Sequence, residues 1–261
     1  MFADKVPPFV GMVYAIVIIF AVFILLKRDK FTKKIRYTIL TATSIIGFLI
    51  FSPMLPLQFQ NILIMRNLPK NLLFLSIGGI FLMIILTYLF GRLFCGYACP
   101  IGTLQELMYK IPGRKWIVRN EKIIRIIHWT VLSAALILGI VFNISVLGYT
   151  GTAEIFKLNF TSPFFYVFAA ILIISVFFYR PFCRLICPVG VFFSIASRFS
   201  KFNIRRDPQC SNCGLCEEAC PTSSSSADSK KDECYACILC MDKCPTDKID
   251  YSFKNSKSRG L

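Results

Sequence analysis

The sequence predicts a helical integral membrane protein with five transmembrane helices and an internally duplicated hairpin, joined to a small α+β domain held by cysteines. Three observations predict it. The chain is 56% hydrophobic, with a mean hydropathy of +0.63 over 261 residues. Its apolar runs are too long for ordinary core helices. Its 12 cysteines fall into two kinds of motif with none left over.

Residues 8–26, PFVGMVYAIVIIFAVFILL, form the first span. A cleaved leader is the competing reading. The preceding MFADKVP carries only one lysine and one aspartate, no small-residue cleavage site follows, and the basic run KRDKFTKKIR does, so the helix is read as retained. Residues 37–55, 72–90, 124–142 and the shorter 164–179 are the remaining spans. The loop holding Lys27, Arg28, Lys30, Lys33, Lys34 and Arg36 faces only Asp29. Seven cations from Arg92 to Arg125 stand against Glu106 and Glu121, and 180–206 adds six more. The alternate loops are poor in charge: 56–71 holds Arg66 and Lys70, and 143–163 holds Glu154 and Lys157. The positive-inside rule then places the N-terminus outside the cell membrane and the C-terminus in the cytoplasm. The net charge of +16 is thus loop charge, which makes nucleic acid a poor partner and the membrane surface a good one.

The segment Cys210 to Pro245 contains C-x2-C-x2-C-x3-C-P twice. This is the ligand run of a bacterial-type two-cluster ferredoxin, in which the fourth cysteine of each run serves the other cluster. One [4Fe–4S] cluster is expected on Cys210, Cys213, Cys216 and Cys244, and the other on Cys234, Cys237, Cys240 and Cys220. Structural zinc uses pairs of cysteines rather than triplets trailed by C-P. Thiolate ligands require a reducing compartment, the same side that loop charge selects. Between Asp207 and Asp250 nine acids face four lysines, so the domain is acidic and suited to lie against the basic inner loops.

A repeat precedes it. GRLFCGYACPIG at 91–102 and YRPFCRLICPVG at 179–190 match at an offset of 88 residues, pairing Arg92 with Arg180, Cys95 with Cys183, Cys99 with Cys187, and Gly102 with Gly190. Each copy follows two spans, so the membrane part reads as a duplicated hairpin, a parallel repeat about an axis along the membrane normal. The proline after Cys99 and after Cys187 suits the first turn of a helix. That places both thiols at helix N-termini, where the dipole and the nearby Arg92, Arg180 and Arg184 favour thiolate. An axis between the copies brings Cys95, Cys99, Cys183 and Cys187 together. Three readings stay open for them: an additional iron–sulfur or other metal site, a redox-active dithiol pair, or a docking role without a cofactor.

The organisation is therefore 1–36, an extra N-terminal helix and basic loop; 37–203, duplicated hairpins with C-x3-C-P motifs; 204–250, the two-cluster ferredoxin domain; and 251–261, a basic tail. Two membrane-proximal C-x3-C-P motifs followed by two ferredoxin motifs resemble the NapH-type polyferredoxins, with similar cores in NosR-, MauN- and CcoG-type proteins. The resemblance covers roughly residues 37–250 and implies membrane electron transfer, with electrons taken from quinol and passed to a redox partner. NapH-type proteins usually have four spans, against five here. NosR-type proteins carry a large flavin-binding domain, whereas the loop GYTGTAEIF offers no flavin attachment motif, so no flavin is expected.

His128 is the single histidine, too few for bis-histidine haem ligation. With Arg125 and Trp129 it could line a quinol site; the alternative is an interfacial histidine beside an aromatic-belt tryptophan. Tyr14, Tyr88 and Tyr97 fit interfacial anchoring, and Gly78-Gly79 fits close helix packing. There is no nucleotide fingerprint and no catalytic triad, so an independent substrate-transforming site is not evident unless quinol is the substrate. The function expected is an iron–sulfur relay between the quinone pool or a membrane partner and another redox protein. The alternative is an assembly factor or redox sensor supplying electrons to a metal centre.

Overall fold

The computed structural model describes residues 8–49, 59, 70–142, 146–207, 209–226 and 229–253. The helices of ten or more residues are α1 (Pro8–Lys27), α2 (Lys33–Leu49), α3 (Lys70–Phe90), α4 (Pro100–Tyr109), α5 (Glu121–Phe142), α6 (Pro163–Phe177) and α7 (Pro188–Arg198). Among the described residues two helices, Val10–Lys27 and Lys122–Phe142, are long and apolar enough to cross a membrane; Ser76–Phe90 and Pro163–Phe177 are shorter apolar helices. The second expected span begins within α2, and its residues 50–55 lie outside the described residues.

The packing obeys the sequence repeat. Each hairpin, α2–α3 and α5–α6, is followed by one π-helical turn, Phe94–Ala98 and Phe182–Ile186, and then by a short amphipathic helix. Helix α4 packs on α2 of its own hairpin and α6 of the other; α7 packs on α5 of its own and α3 of the other. The two halves are thus exchanged about a pseudo-twofold, and the turns between helices meet at its centre. Helix α1, outside the repeat, packs on the first π-helical turn and on the C-terminal domain.

That domain is closed by a two-stranded antiparallel sheet. Strand β1 (Phe202–Arg206) pairs with β2 (Ile249–Phe253), Phe202 opposite Phe253 and Ile204 opposite Tyr251. The sheet runs from Phe202 at one end of the domain to Phe253 at the other. Between the strands lie the single-turn helices α8 (Leu215–Glu218) and α9 (Leu239–Asp242), packed on each other. The domain is joined to the helices at its base: Tyr251 donates to the Phe90 carbonyl at 2.6 Å, and Arg125–Asp232, Arg184–Glu233 and Lys33–Asp242 form ion pairs. These pairs join basic residues of the helical part to acidic residues of the cysteine domain.

Two smaller expectations need correction. A Cβ at Gly78 would meet nothing within 4 Å, and one at Gly79 only Met12 Sδ at 3.7 Å, so no close helix approach occurs there among the described residues. Tyr97 is buried and donates to the Ala236 carbonyl at 2.6 Å, which makes it an interdomain strut and not an interfacial anchor.

Candidate metal centres

The C-x3-C-P sequence builds its site from two local devices. The π-helical turn carries Cys95 (or Cys183) inward, and its chain leaves the turn in extended geometry at Cys99 (φ −79°, ψ 116°) and Cys187 (φ −68°, ψ 112°). Both residues are the N-caps of the following helices, with proline at the first helical position, where its missing N–H costs nothing. The glycine two residues after each proline is forced by packing. A Cβ at Gly102 would sit 2.5 Å from the Cys95 carbonyl oxygen, and one at Gly190 2.9 Å from that of Cys183. The motif is therefore C-x3-C-P-x-G, folding the amphipathic helix back onto its own turn.

All four cysteines line one cavity, together with Phe94, Phe182, Phe193 and Arg92. Cys183 lies within electrostatic reach of Cys99, Cys187 and Cys95, and Cys187 of Cys95 and Cys99. All twelve cysteines are free thiols. The expected bias toward thiolate does not hold for these free thiols. Burial, reinforced by the neighbouring cysteine charge, pushes Cys99 up to about 11 and Cys187 up to about 12 despite the helix N-terminus. In an apolar cavity desolvation outweighs the dipole.

Charge around the cavity is the opposite of what protonated thiols need. Arg36, Arg92, Arg180 and Arg184 are each no more than 2% exposed. Glu106 pairs with both Arg36 and Arg180, and Glu233 with Arg184, so two positive charges are left over beside the cysteines. Arg92 donates to the carbonyl oxygens of Asp232 at 3.2 Å and Gly190 at 3.3 Å and bears on Cys95. Arg92 Nε and Arg180 Nε have no hydrogen-bond partner among the described residues. A buried donor left unmade costs about 1–3 kcal/mol, more when charged, so the site fits an anionic group. Four thiolates holding a cluster are such a group. A single ion is a poorer fit: among the described residues no three Cys, His, Asp or Glu side chains are placed to hold one. Zinc would draw its sulfurs to about 2.3 Å, whereas an iron–sulfur cube stands between its ligands and keeps them further apart.

In the C-terminal domain, Cys240 lies within electrostatic reach of Cys237, Cys234 and Cys220, which brings the fourth cysteine of the first run to the second. Cys216 and Cys210 face each other likewise, while Cys213 is exposed. The two regions touch through Tyr235 and Ala236. A Cβ on Gly96 would meet the Tyr235 carbonyl oxygen at 2.7 Å. The guanidinium carbons of Arg92 and Arg180 lie 4.4 and 4.8 Å from the Tyr235 ring centroid, within cation–π range. Arg36 and Glu106 bear on Cys237 from the other side.

His128, Arg125 and Trp129 line a single cavity at one end of α5. His128 is buried, and its Nε2 lies 2.7 Å from the Cys187 carbonyl oxygen. Sequence reasoning missed Glu106, Gln105 and Asp232. Gln105 accepts from the Phe182 N–H at 3.1 Å and approaches Cys183 Sγ at 4.0 Å. For Gln105 and Glu106 the available signal was a charged or amide side chain in the short amphipathic helix PIGTLQELMY. Arg36, counted with the solvated loop cations, is the buried partner of Glu106.

A family model described as a 4Fe-4S binding domain matches residues 72–119 and 162–207. These are the two halves of the repeat, each with its C-x3-C-P motif, and not the Cys210–Cys244 run. The uncharacterized protein MJ0750 of Methanocaldococcus jannaschii is 31% identical over 156 residues, covering 56% of this chain and 65% of its own. The regulatory protein NosR of Stutzerimonas stutzeri is 30% identical over 228 residues, 76% of this chain and 31% of its own. The methylamine utilization ferredoxin-type protein MauN of Methylobacillus flagellatus is 26% identical over 141 residues, 50% of this chain and 48% of its own. The chain thus spans less than two thirds of the length of each of these relatives. No solved structure matches. The duplicated fold and its C-x3-C-P cysteines define a protein with a 4Fe-4S binding domain in two halves. The relatives that the chain resembles, NosR and MauN, are members of the membrane polyferredoxin-type family.

Proposed function

We propose that the chain is a five-span membrane relay, N-terminus outside and cysteine domain in the cytoplasm, that moves single electrons between the quinone pool and a soluble redox partner. The observation that carries this reading is the meeting of Cys95, Cys99, Cys183 and Cys187 in one apolar cavity beside buried arginines with unpartnered N–H groups. These four would hold a [4Fe–4S] cluster. Cys234, Cys237, Cys240 and Cys220 would hold a second, and Cys210, Cys213, Cys216 and Cys244 a third. When bound, such clusters supply one-electron transfer at potentials set by burial, net charge and hydrogen bonds to sulfur.

The chain's own residues supply position and dielectric. Tyr97, Gly96 and the two arginines on Tyr235 hold the Cys234–Cys240 set inward against the C-x3-C-P cavity. The set containing exposed Cys213 faces outward, where a soluble partner can reach it. Phe94, Phe182 and Phe193 exclude water from the inner site. The donor end is assigned to the cavity of His128, Arg125 and Trp129, separated from the inner site by the His128–Cys187 contact.

The test is anaerobic reduction of the purified protein followed by visible and EPR spectroscopy. Addition of a quinol is expected to reduce the centres at a rate that depends on quinol concentration. Normal reduction by dithionite with none by any quinol sinks the quinol end of the relay.

A further inference from the structure

The cavity on α5 contains a polar atom that the relay leaves unexplained. It measures about 150 Å³ and is lined by Arg125, His128, Trp129, Ser194, Arg198 and Asp232 among its residues. Its lip is apolar, with Trp129, Ile195 and Phe199 exposed at 45%, 43% and 55%. Its floor is polar, and nearly every group there is engaged. His128 Nε2 is taken by the Cys187 carbonyl, Glu233 Oε2 by Arg184, and Asp232 Oδ2 by Arg125 at 2.6 Å. Among the buried side-chain atoms of the described residues that line it, the exception is Asp232 Oδ1. It is buried, in a side chain only 4% exposed, and has no hydrogen-bond partner among the described residues.

We propose that this cavity binds the ring of a membrane-soluble hydroquinone, with one ring hydroxyl donating to Asp232 Oδ1 and the ring lying against Trp129. The inference rests on the quinone-linked reading above and names the contact that recognises the donor. A buried carboxylate oxygen without a donor calls for a ligand that brings a hydrogen. A hydroquinone brings one at each end of a flat apolar ring. The volume suits a single ring, since an apolar cavity of about 150 Å³ accommodates benzene. The substituents and tail leave past Ile195 and Phe199. A lipid phosphate is the other amphiphile that Arg125 and Arg198 could attract. It brings mainly acceptors and negative charge, which Asp232 and Glu233 oppose. His128 therefore forms the wall between ligand and Cys187, and Asp232 forms the recognition contact.

The test uses full-length protein, purified anaerobically in detergent and carrying Trp116→Phe, so that Trp129 is the one tryptophan left of the two. Quenching of its fluorescence by durohydroquinone is compared with quenching by the dimethyl ether of the same compound, which has no hydroxyl hydrogen. The hydroquinone is expected to bind at least about tenfold tighter. Asp232→Ala is expected to abolish that preference. Ser194→Leu fills the cavity without touching the Arg125–Asp232 pair and is expected to weaken binding at least about tenfold. Equal binding of hydroquinone and ether, or binding unchanged by Ser194→Leu, overturns the proposal. Quenching changes caused by glycerol phosphate but not by durohydroquinone overturn it in favour of a lipid head group. Iron is assayed on the same samples: full iron without binding sinks the pocket and leaves the relay, whereas missing iron sinks the relay whatever binds.

Discussion

Replacing Glu106 by glutamine removes the carboxylate that the buried Arg36 and Arg180 share, and the structure sets the size of the effect. Glu106 is 3% exposed, pairs with both guanidinium groups and accepts from the Tyr179 hydroxyl at 3.0 Å. Burial pushes its carboxyl up, but Arg180 and Arg36 together outweigh burial and bring it from 4.5 down to about 2. That difference corresponds to on the order of 3 kcal/mol of folded-state stabilisation. Because the folded value is depressed, the stabilisation is fully present above about pH 4.5 and is lost as pH falls toward 2. Glutamine keeps the shape and the tyrosine contact but leaves two buried cations facing no charge, a change that costs about 3–5 kcal/mol. Against a total stability of about 5–15 kcal/mol, Glu106→Gln is expected to unfold at clearly lower SDS fraction in a mixed-micelle titration followed by circular dichroism. The variant is also expected to lose the acid-dependent step between about pH 4.5 and pH 2 that the parent shows. A loss below about 1 kcal/mol, or an unchanged acid profile, refutes the reasoning.

Three further outcomes follow from the same contacts. Gly102→Ala, whose Cβ would lie 2.5 Å from the Cys95 carbonyl oxygen, is expected to lower iron content more than Gly190→Ala, whose Cβ would lie 2.9 Å from that of Cys183; equal iron in both contradicts the packing argument. Gly96→Ala, 2.7 Å from the Tyr235 carbonyl oxygen, is expected to loosen the cysteine domain and increase proteolysis near Lys230 and Lys231 with the helical part intact. Arg92→Gln removes a buried charge beside Cys95, and redox titration by EPR is expected to find one centre lowered by at least about 60 mV, a tenfold change in a one-electron equilibrium, with the centre of the exposed Cys213 set unmoved.

Much of this was readable in the chain because it is local or repeated. The offset of 88 residues between the C-x3-C-P motifs reappears as matched π-helical turns and matched helix starts at Pro100 and Pro188. The Gly102–Gly190 match was visible as a pattern, and only packing gives its cause. What stayed hidden depends on contacts between distant segments. Arg36 and Glu106 are 70 residues apart, so each reads alone as a surface charge. Asp232 lies in an acidic stretch whose neighbours are exposed or paired, and nothing local marks its Oδ1 as buried. Strand β1 exists because Phe202–Arg206 meets Ile249–Phe253 across the whole cysteine domain. The thiolate expectation at Cys99 and Cys187 failed because a dipole argument omits desolvation, which only the cavity reveals.

The central claim is that the duplicated C-x3-C-P motifs form a metal centre of their own, and counting iron tests it most directly. Protein purified anaerobically from cells grown with ample iron is assayed for iron and acid-labile sulfide per chain, with Cys95→Ser/Cys183→Ser in parallel. The account predicts about twelve of each in the parent, four per cube, and about eight in the double variant. About eight in both contradicts it and leaves the four cysteines without a cluster.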